Sequence, residues 1–169
     1  MVSPSPLILT LKLDPTTFDF FNELRQQHFP VEKNFLSAHV TLFHALPGEY
    51  EASIQQTLHS ICAHTSPLPL LFSQPRFLGK GVAVEISCNE LLQLRKQLAE
   101  VWNMWLSKQD QQRYQPHVTI QNKVTPDQAR RLYEQLLNRW ESVNGRGEGL
   151  LLWYYQGGPW KLAGEFDFA

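Results

Sequence analysis

His39 and Thr41 stand in the segment Ser37-Ala38-His39-Val40-Thr41-Leu42-Phe43, and 78 positions later His117 and Thr119 stand in Gln115-Pro116-His117-Val118-Thr119-Ile120-Gln121. In an extended strand, alternate side chains share a face. Each segment therefore sets an imidazole and a hydroxyl on one side, against Val40 and Leu42 or Val118 and Ile120 on the other. A strand patterned in this way presents its polar pair to a cleft or to water. Two imidazoles with ordinary pKa values of about 6.5 can serve one reaction together, the neutral one as general base and the protonated one as general acid. In-line displacement at a phosphodiester needs that pair, a base for the attacking water and an acid for the departing ribose oxygen. Thr41 and Thr119 can donate hydrogen bonds to the non-bridging oxygens without introducing like charges. A third match, His64-Thr65-Ser66, falls at an expected helix end before Pro67 and has no strand around it.

The elements that must position these residues repeat. Leu7–Leu13 reads as a strand, and Asp14-Pro15 caps a helix carrying Phe18, Phe21 and Leu24. Ala38–Leu46 is the next strand, ended by Pro47-Gly48, then a helix with Ile54, Leu58 and Cys62, then a strand over Leu68–Leu78. Gly79-Lys80-Gly81 reverses the chain into Val82–Ser87, and Asn89 is placed to cap a helix. The order then recurs: strand His117–Val124, a capping box at Thr125-Pro126-Asp127-Gln128, its helix, and a terminal hairpin of Leu150–Tyr155 and Trp160–Phe168. Gly145, Gly147 and Gly149 read as a loosened stretch ahead of that hairpin. The expected fold class is α/β (α+β): an internally duplicated, bilobed single domain over 1–169, with two mainly antiparallel sheets, outer helices and a central cleft. One lobe covers about 1–78 with the C-terminal strands contributing, and the other 79–169.

Around the motifs, face alternation selects candidate substrate contacts. Phe43 falls on the His39 face, where it could stack on a base; Gln121 and Lys123 fall on the His117 face, where they could meet phosphate or base. Lys80 in its turn, Arg113-Tyr114 before the second motif, and Thr10 and Lys12 on the first strand are further candidates. Trp153 and Tyr155 share a strand face that could form a stacking wall. His44 falls with the aliphatic residues and reads as structural, and His28 and His59 have no partner pattern.

Fifteen basic residues against sixteen acidic ones provide no global positive field for long duplex nucleic acid. The expected partner is a nucleotide or RNA-end phosphodiester. Leu7–Leu13 is too short to span a membrane, and no basic segment precedes it, so a cytoplasmic, monomeric protein is expected. Cys62 and Cys88 lack metal or redox spacing, and Glu85 and Asp127 lack ligand-like spacing beside the histidines. Neither metal nor cofactor is therefore expected.

On the residues His39-Val40-Thr41-Leu42 and Pro116-His117-Val118-Thr119-Ile120, the chain resembles the two-histidine phosphoesterase superfamily, in its 2'-5' RNA ligase-like or cyclic phosphodiesterase branch. The resemblance covers essentially the whole chain. It implies a bilobed fold with a central cleft, metal-independent chemistry on 2',3'-cyclic or related phosphodiesters, and catalytic roles for His39, Thr41, His117 and Thr119. Where bacterial members of that branch tend to carry an arginine after the second motif, this chain has Gln121-Asn122-Lys123. The competing reading is a non-catalytic module that binds an RNA end or nucleotide; two intact histidines favour the enzyme, because binding alone needs no second acid/base group. A metallohydrolase ranks last.

Overall fold

The computed structural model describes residues 4–169, so the first three residues of the span assigned to the first lobe lie outside it. Leu7–Leu13 forms β1 and Pro15–His28 forms α1. Asp14 accepts from the Thr17 N–H (3.2 Å) and Pro15 opens the first turn, as the sequence implies. Asp14 also accepts from the Arg146 N–H at 2.8 Å, which ties the start of α1 to a distant strand. The chain continues through β2 (Thr41–Leu46), α2 (Glu51–Ala63), β3 (Leu68–Phe77), β4 (Val82–Ser87), α3 (Asn89–Val101), β5 (His117–Gln121), α4 (Pro126–Arg139), β6 (Val143–Tyr154) and β7 (Lys161–Asp167). Cys88, whose sulfur accepts from the Leu91 N–H, caps α3, and the expected cap Asn89 is its first helical residue. Thr125 and Gln128 form the reciprocal capping box at α4.

All strand pairs are antiparallel, in the order β2-β1-β6-β3-β4-β5 with β7 also on β6. The two expected sheets are joined through β6, which pairs with β3 over Val143–Gly147 and with β1 and β7 further along. The glycine-rich stretch is therefore strand rather than loosened chain. A Cβ at Gly145 would meet Thr17 at 2.5 Å and one at Gly147 would meet Leu11 at 2.9 Å, so the missing side chains are what let neighbours close over β6. β3 pairs with β4 and β6, which puts it in the sheet of His117. The change of sheet thus falls ahead of Leu68, not after Leu78, because the Gly79–Gly81 reversal makes β3 and β4 a hairpin. Gly79 has φ +89, and a Cβ on Gly81 would collide with the Gln121 carbonyl, which holds this turn against the end of β5.

The core sits on the sheet's helix-covered side. Phe21 of α1 meets Phe72 of β3 with ring centroids 4.5 Å apart, and Leu9, Leu42, Ile54, Leu58, Val118, Ile120 and Leu152 are closed to solvent. Each such side chain contributes about 1.5–3 kcal/mol by leaving water. The first helix of each repeat crosses to the other repeat's motif strand. α1 packs on β5 and reaches it with Arg25, while α3 reaches β2 with Arg95. Among the described residues no helix is long and apolar enough to cross a membrane.

Candidate active site

β2 and β5 each break their alternation at the same place. Thr10 pairs with Thr41 but Leu9 with Phe43, leaving Leu42 as an extra residue; Ala83 pairs with Thr119 but Val82 with Gln121, leaving Ile120 as the extra one. A bulge of this kind turns the residues next beyond it to the opposite face. Leu42 and Phe43 are therefore both buried, as are Ile120 and Gln121. This overturns two sequence expectations. Phe43 is closed to solvent, edge-on to Trp102 at 5.2 Å with the Arg95 guanidinium 4.0 Å above its ring, and cannot stack on a base. Gln121 is 7% exposed and lies outside the histidine cleft.

Bulges also release main-chain carbonyls from the ladder, and buried carbonyls need donors. Arg95 donates to the Leu42 carbonyl (2.8 Å), Tyr114 to that of Thr41 (2.8 Å) and Arg25 to that of Thr119 (2.8 Å). Arg25 is buried with Asn34 as its other partner, and burial brings its pKa down to about 10, still well above neutrality. Sequence reasoning passed over both arginines. The available signal was a charged residue on an apolar helix stripe: Arg25 beside Phe18 and Phe21, Arg95 beside Leu91 and Leu98.

His39, Thr41, His117 and Thr119 line one cavity of about 370 Å³. Their two imidazoles are held identically. His39 Nδ1 lies 2.8 Å from the Ser37 carbonyl and His117 Nδ1 lies 2.8 Å from the Gln115 carbonyl, each two residues upstream. A carbonyl can only accept, so Nδ1 carries the proton in both rings and Nε2 is the nitrogen left for chemistry. Burial lowers the His39 pKa to about 4, and the charges of Arg25, His117 and His44 outweigh part of what the Ser37 bond restores. His117 is also lowered, again by burial first, with Arg76 and His44 adding to the shift and Glu85 opposing it. Arg76 sits 3.4 Å from His117 Nδ1, a nitrogen already committed to Gln115, so it acts there as a charge; its Nε pairs with Glu85 at 3.1 Å.

The same cavity is lined by Arg113, Tyr114, Trp160 and His44. His44 is hydrogen-bonded, to Asp110 at 3.2 Å, but its expected face is corrected: beyond the bulge its ring lines the cleft. Trp160, from the turn before β7, lies edge-on to His39 at 4.8 Å and also lines an adjoining pocket of about 440 Å³ with Trp153, Phe18 and Phe35. Thr10 and Lys12 belong to this side pocket; Trp153 donates to Thr10 at 2.9 Å and Lys12 is paired with Asp167 at 2.8 Å. Tyr155 is exposed and lines neither space, because β6 ends at Tyr154. Lys80 and Lys123 line a separate open groove with Lys33 and Arg131 beyond the end of β5, so neither is beside the two histidines. No group of three or more metal-ligating side chains occurs among the described residues.

A duplicated antiparallel sheet with a matched histidine pair in its cleft defines the two-histidine phosphoesterase class. The sequence model of the 2'-5' RNA ligase superfamily matches residues 13–159, and the chain belongs to that family. Solved structures share the fold. A Thermus thermophilus protein, TT0787, superposes with TM-score 0.67 at 14% identity, over 96% of this chain and 97% of its own. Escherichia coli LigT complexed with 3'-AMP superposes with TM-score 0.64 at 14% identity, over 98% and 99%. A structure described as a phosphoesterase gives 0.62 at 14% identity, over 98% and 99%. No curated protein matches the chain.

Proposed function

We propose that this protein is a phosphodiesterase that opens 2',3'-cyclic or related nucleotide and RNA-end phosphodiesters by two-histidine general acid/base catalysis, without a metal ion. The observation that carries the reading is the twin Nδ1 anchorage of His39 and His117, which leaves two Nε2 atoms free in one cavity with two threonines. Membership of the 2'-5' RNA ligase superfamily supports it.

His39, whose pKa burial brings down to about 4, is neutral near pH 7 and takes the role of base. Its Nε2 removes a proton from water as the water oxygen bonds to phosphorus. The bond from phosphorus to one ribose oxygen breaks, and His117 Nε2 delivers a proton to that oxygen. Thr41 and Thr119 donate to the non-bridging oxygens as their charge rises. A ribose hydroxyl in place of the water, deprotonated by the same base while the ring P–O bond breaks and the same acid protonates the departing oxygen, would be joined to the phosphorus in a weak 2'-5' ligation.

Incubation with 2',3'-cyclic nucleotides, 2'-5'-linked dinucleotides and cyclic-phosphate RNA ends, with and without exhaustive chelation, tests the assignment. Turnover of a cyclic phosphate that survives chelation is expected. Tight nucleotide binding with no turnover on any substrate would leave a binding module instead, and loss with chelator followed by recovery with a divalent ion would leave a metalloenzyme.

The shifts also predict a pH profile. The base must be deprotonated and the acid protonated, so kcat/KM should rise as pH climbs through the His39 value of about 4 and fall as the His117 proton is lost below the ordinary 6.5. Because both shifts are downward, the whole bell lies on the acid side of that for two unperturbed imidazoles. The measured limbs are macroscopic values of the coupled pair, and single mutants test this assignment. A kcat/KM that still climbs between pH 7 and 9 would contradict the assignment.

A further inference from the structure

Asp110 is the most enclosed carboxylate at the cleft, with a side chain 1% exposed, and it is wholly occupied by the His44 segment. It accepts from the His44 N–H at 2.9 and 3.0 Å, from the Ala45 N–H at 3.0 Å, and from His44 Nδ1 at 3.2 Å. Its own carbonyl accepts from Arg95 at 2.7 Å, so a buried cation lies beside the buried anion. Nothing in the two-histidine reaction uses this arrangement. Its effect is to hold one imidazole by Nδ1, 46% exposed, in the cavity of His39 and His117 with Nε2 unengaged.

The surroundings of His44 are rich in donors. Gln109, Gln112, Arg113 and Gln115 come from the segment leading into β5, Arg76 from β3, and no carboxylate lines the cavity among the described residues. Arg76 is already paired with Glu85, whereas Arg113 has no ion pair among the described residues. His44 lies three residues beyond Thr41 on β2, across the Leu42 bulge and at most about 10 Å along the strand, so a group held at its Nε2 is a neighbour of the phosphate held by the threonines and distinct from it. Held by Nδ1 at Asp110, the ring turns Nε2 toward Arg113 and the glutamine amides, and with a proton on each nitrogen it donates both to the carboxylate and to an arriving anion.

We infer that His44, backed by Asp110 and joined by Arg113, is a second anion subsite that selects nucleotides carrying a phosphate in addition to the one between the histidines. The inference rests on the phosphodiesterase reading for what occupies the main site. The substrate class becomes a phosphorylated nucleotide or the end of an oligonucleotide, in preference to a nucleoside cyclic phosphate bearing no other charge.

Adenosine 3'-monophosphate and adenosine 3',5'-bisphosphate, titrated calorimetrically into the wild type, His44→Gln and Arg113→Gln, decide the matter. They share base, sugar and one phosphate, so their affinity ratio isolates the second. The wild type should bind the bisphosphate about tenfold or more tightly, the scale of one charge-assisted hydrogen bond. His44→Gln should bring the ratio close to one with the monophosphate affinity unchanged, and Arg113→Gln should lower it partway. Both side chains reach solvent, and thermal melts confirm folding. A wild-type ratio near one, no binding of either nucleotide, a ratio that survives both substitutions, or an equal loss for both ligands in His44→Gln overturns the inference. Turnover of a cyclic phosphate is measured separately, so a wild type that turns over without the preference removes the second subsite and leaves the phosphodiesterase reading intact.

Discussion

Replacing His39 or His117 by alanine is expected to lower turnover of a cyclic phosphodiester by about 10² or more while leaving the fold in place, since lost acid or base catalysis alone is worth about 10²–10⁴. Neither ring fills the core. Each is half-buried, and the 2.8 Å hydrogen bond of its Nδ1 goes to a carbonyl in its own segment, so truncation frees an acceptor near solvent. The losses should not add. Once one partner is gone the other no longer completes a proton-transfer pair, and the double mutant should be little worse than the weaker single. Comparing kcat and kcat/KM for the three variants, with melting temperature as the control for folding, checks this. Near-normal turnover in both single mutants would place the chemistry elsewhere.

Asp110→Ala should cost about 1–3 kcal/mol of stability or more, the range for leaving an enclosed hydrogen-bond donor unsatisfied. The substitution strands the N–H groups of His44 and Ala45, frees the His44 ring and leaves Arg95 without its counter-charge. Burial by itself would raise the Asp110 carboxyl. The bonds from His44 and Ala45 outweigh that, with the His44 charge adding to them, and hold it below the usual carboxylate range. A carboxyl depressed in the folded state contributes stability that is complete above its unfolded value of about 3.9 and is lost as pH falls through the lower folded value. The wild type should therefore melt at progressively lower temperature below about pH 4, where Asp14 and Glu85, also depressed, add to the effect. Denaturant titration of Asp110→Ala and Asp110→Asn at pH 7 measures the cost. A loss below about 1 kcal/mol in the alanine variant would show that water replaces the carboxylate at little expense.

The duplication, the antiparallel strands, the starts of α1 and α4 and the positions of the two His-x-Thr pairs were legible because each depends on local rules. Period-two alternation over His39–Thr41 and His117–Thr119, the Asp14-Pro15 cap and the Thr125–Gln128 box all act within a few residues. Alternation failed four positions past each histidine, where Phe43 and Gln121 turn into the protein and, on β2, His44 turns out to the cleft. A bulge leaves no mark in the residues that form it. It arises from register with β1 and β4, strands that lie far off in the chain, and its freed carbonyls are tolerable only because Arg25, Arg95 and Tyr114 arrive from other elements. The membership of β3 was hidden for the same reason, since an unpaired strand does not encode its neighbours. The sequence by itself determined which side chains could act as acid, base and hydrogen-bond donor. Tertiary structure decided which of them share a cavity, that Lys80 and Lys123 do not, and that His44, anchored from behind by Asp110, does, because register and helix crossing are set by long-range packing that short-range pattern cannot carry.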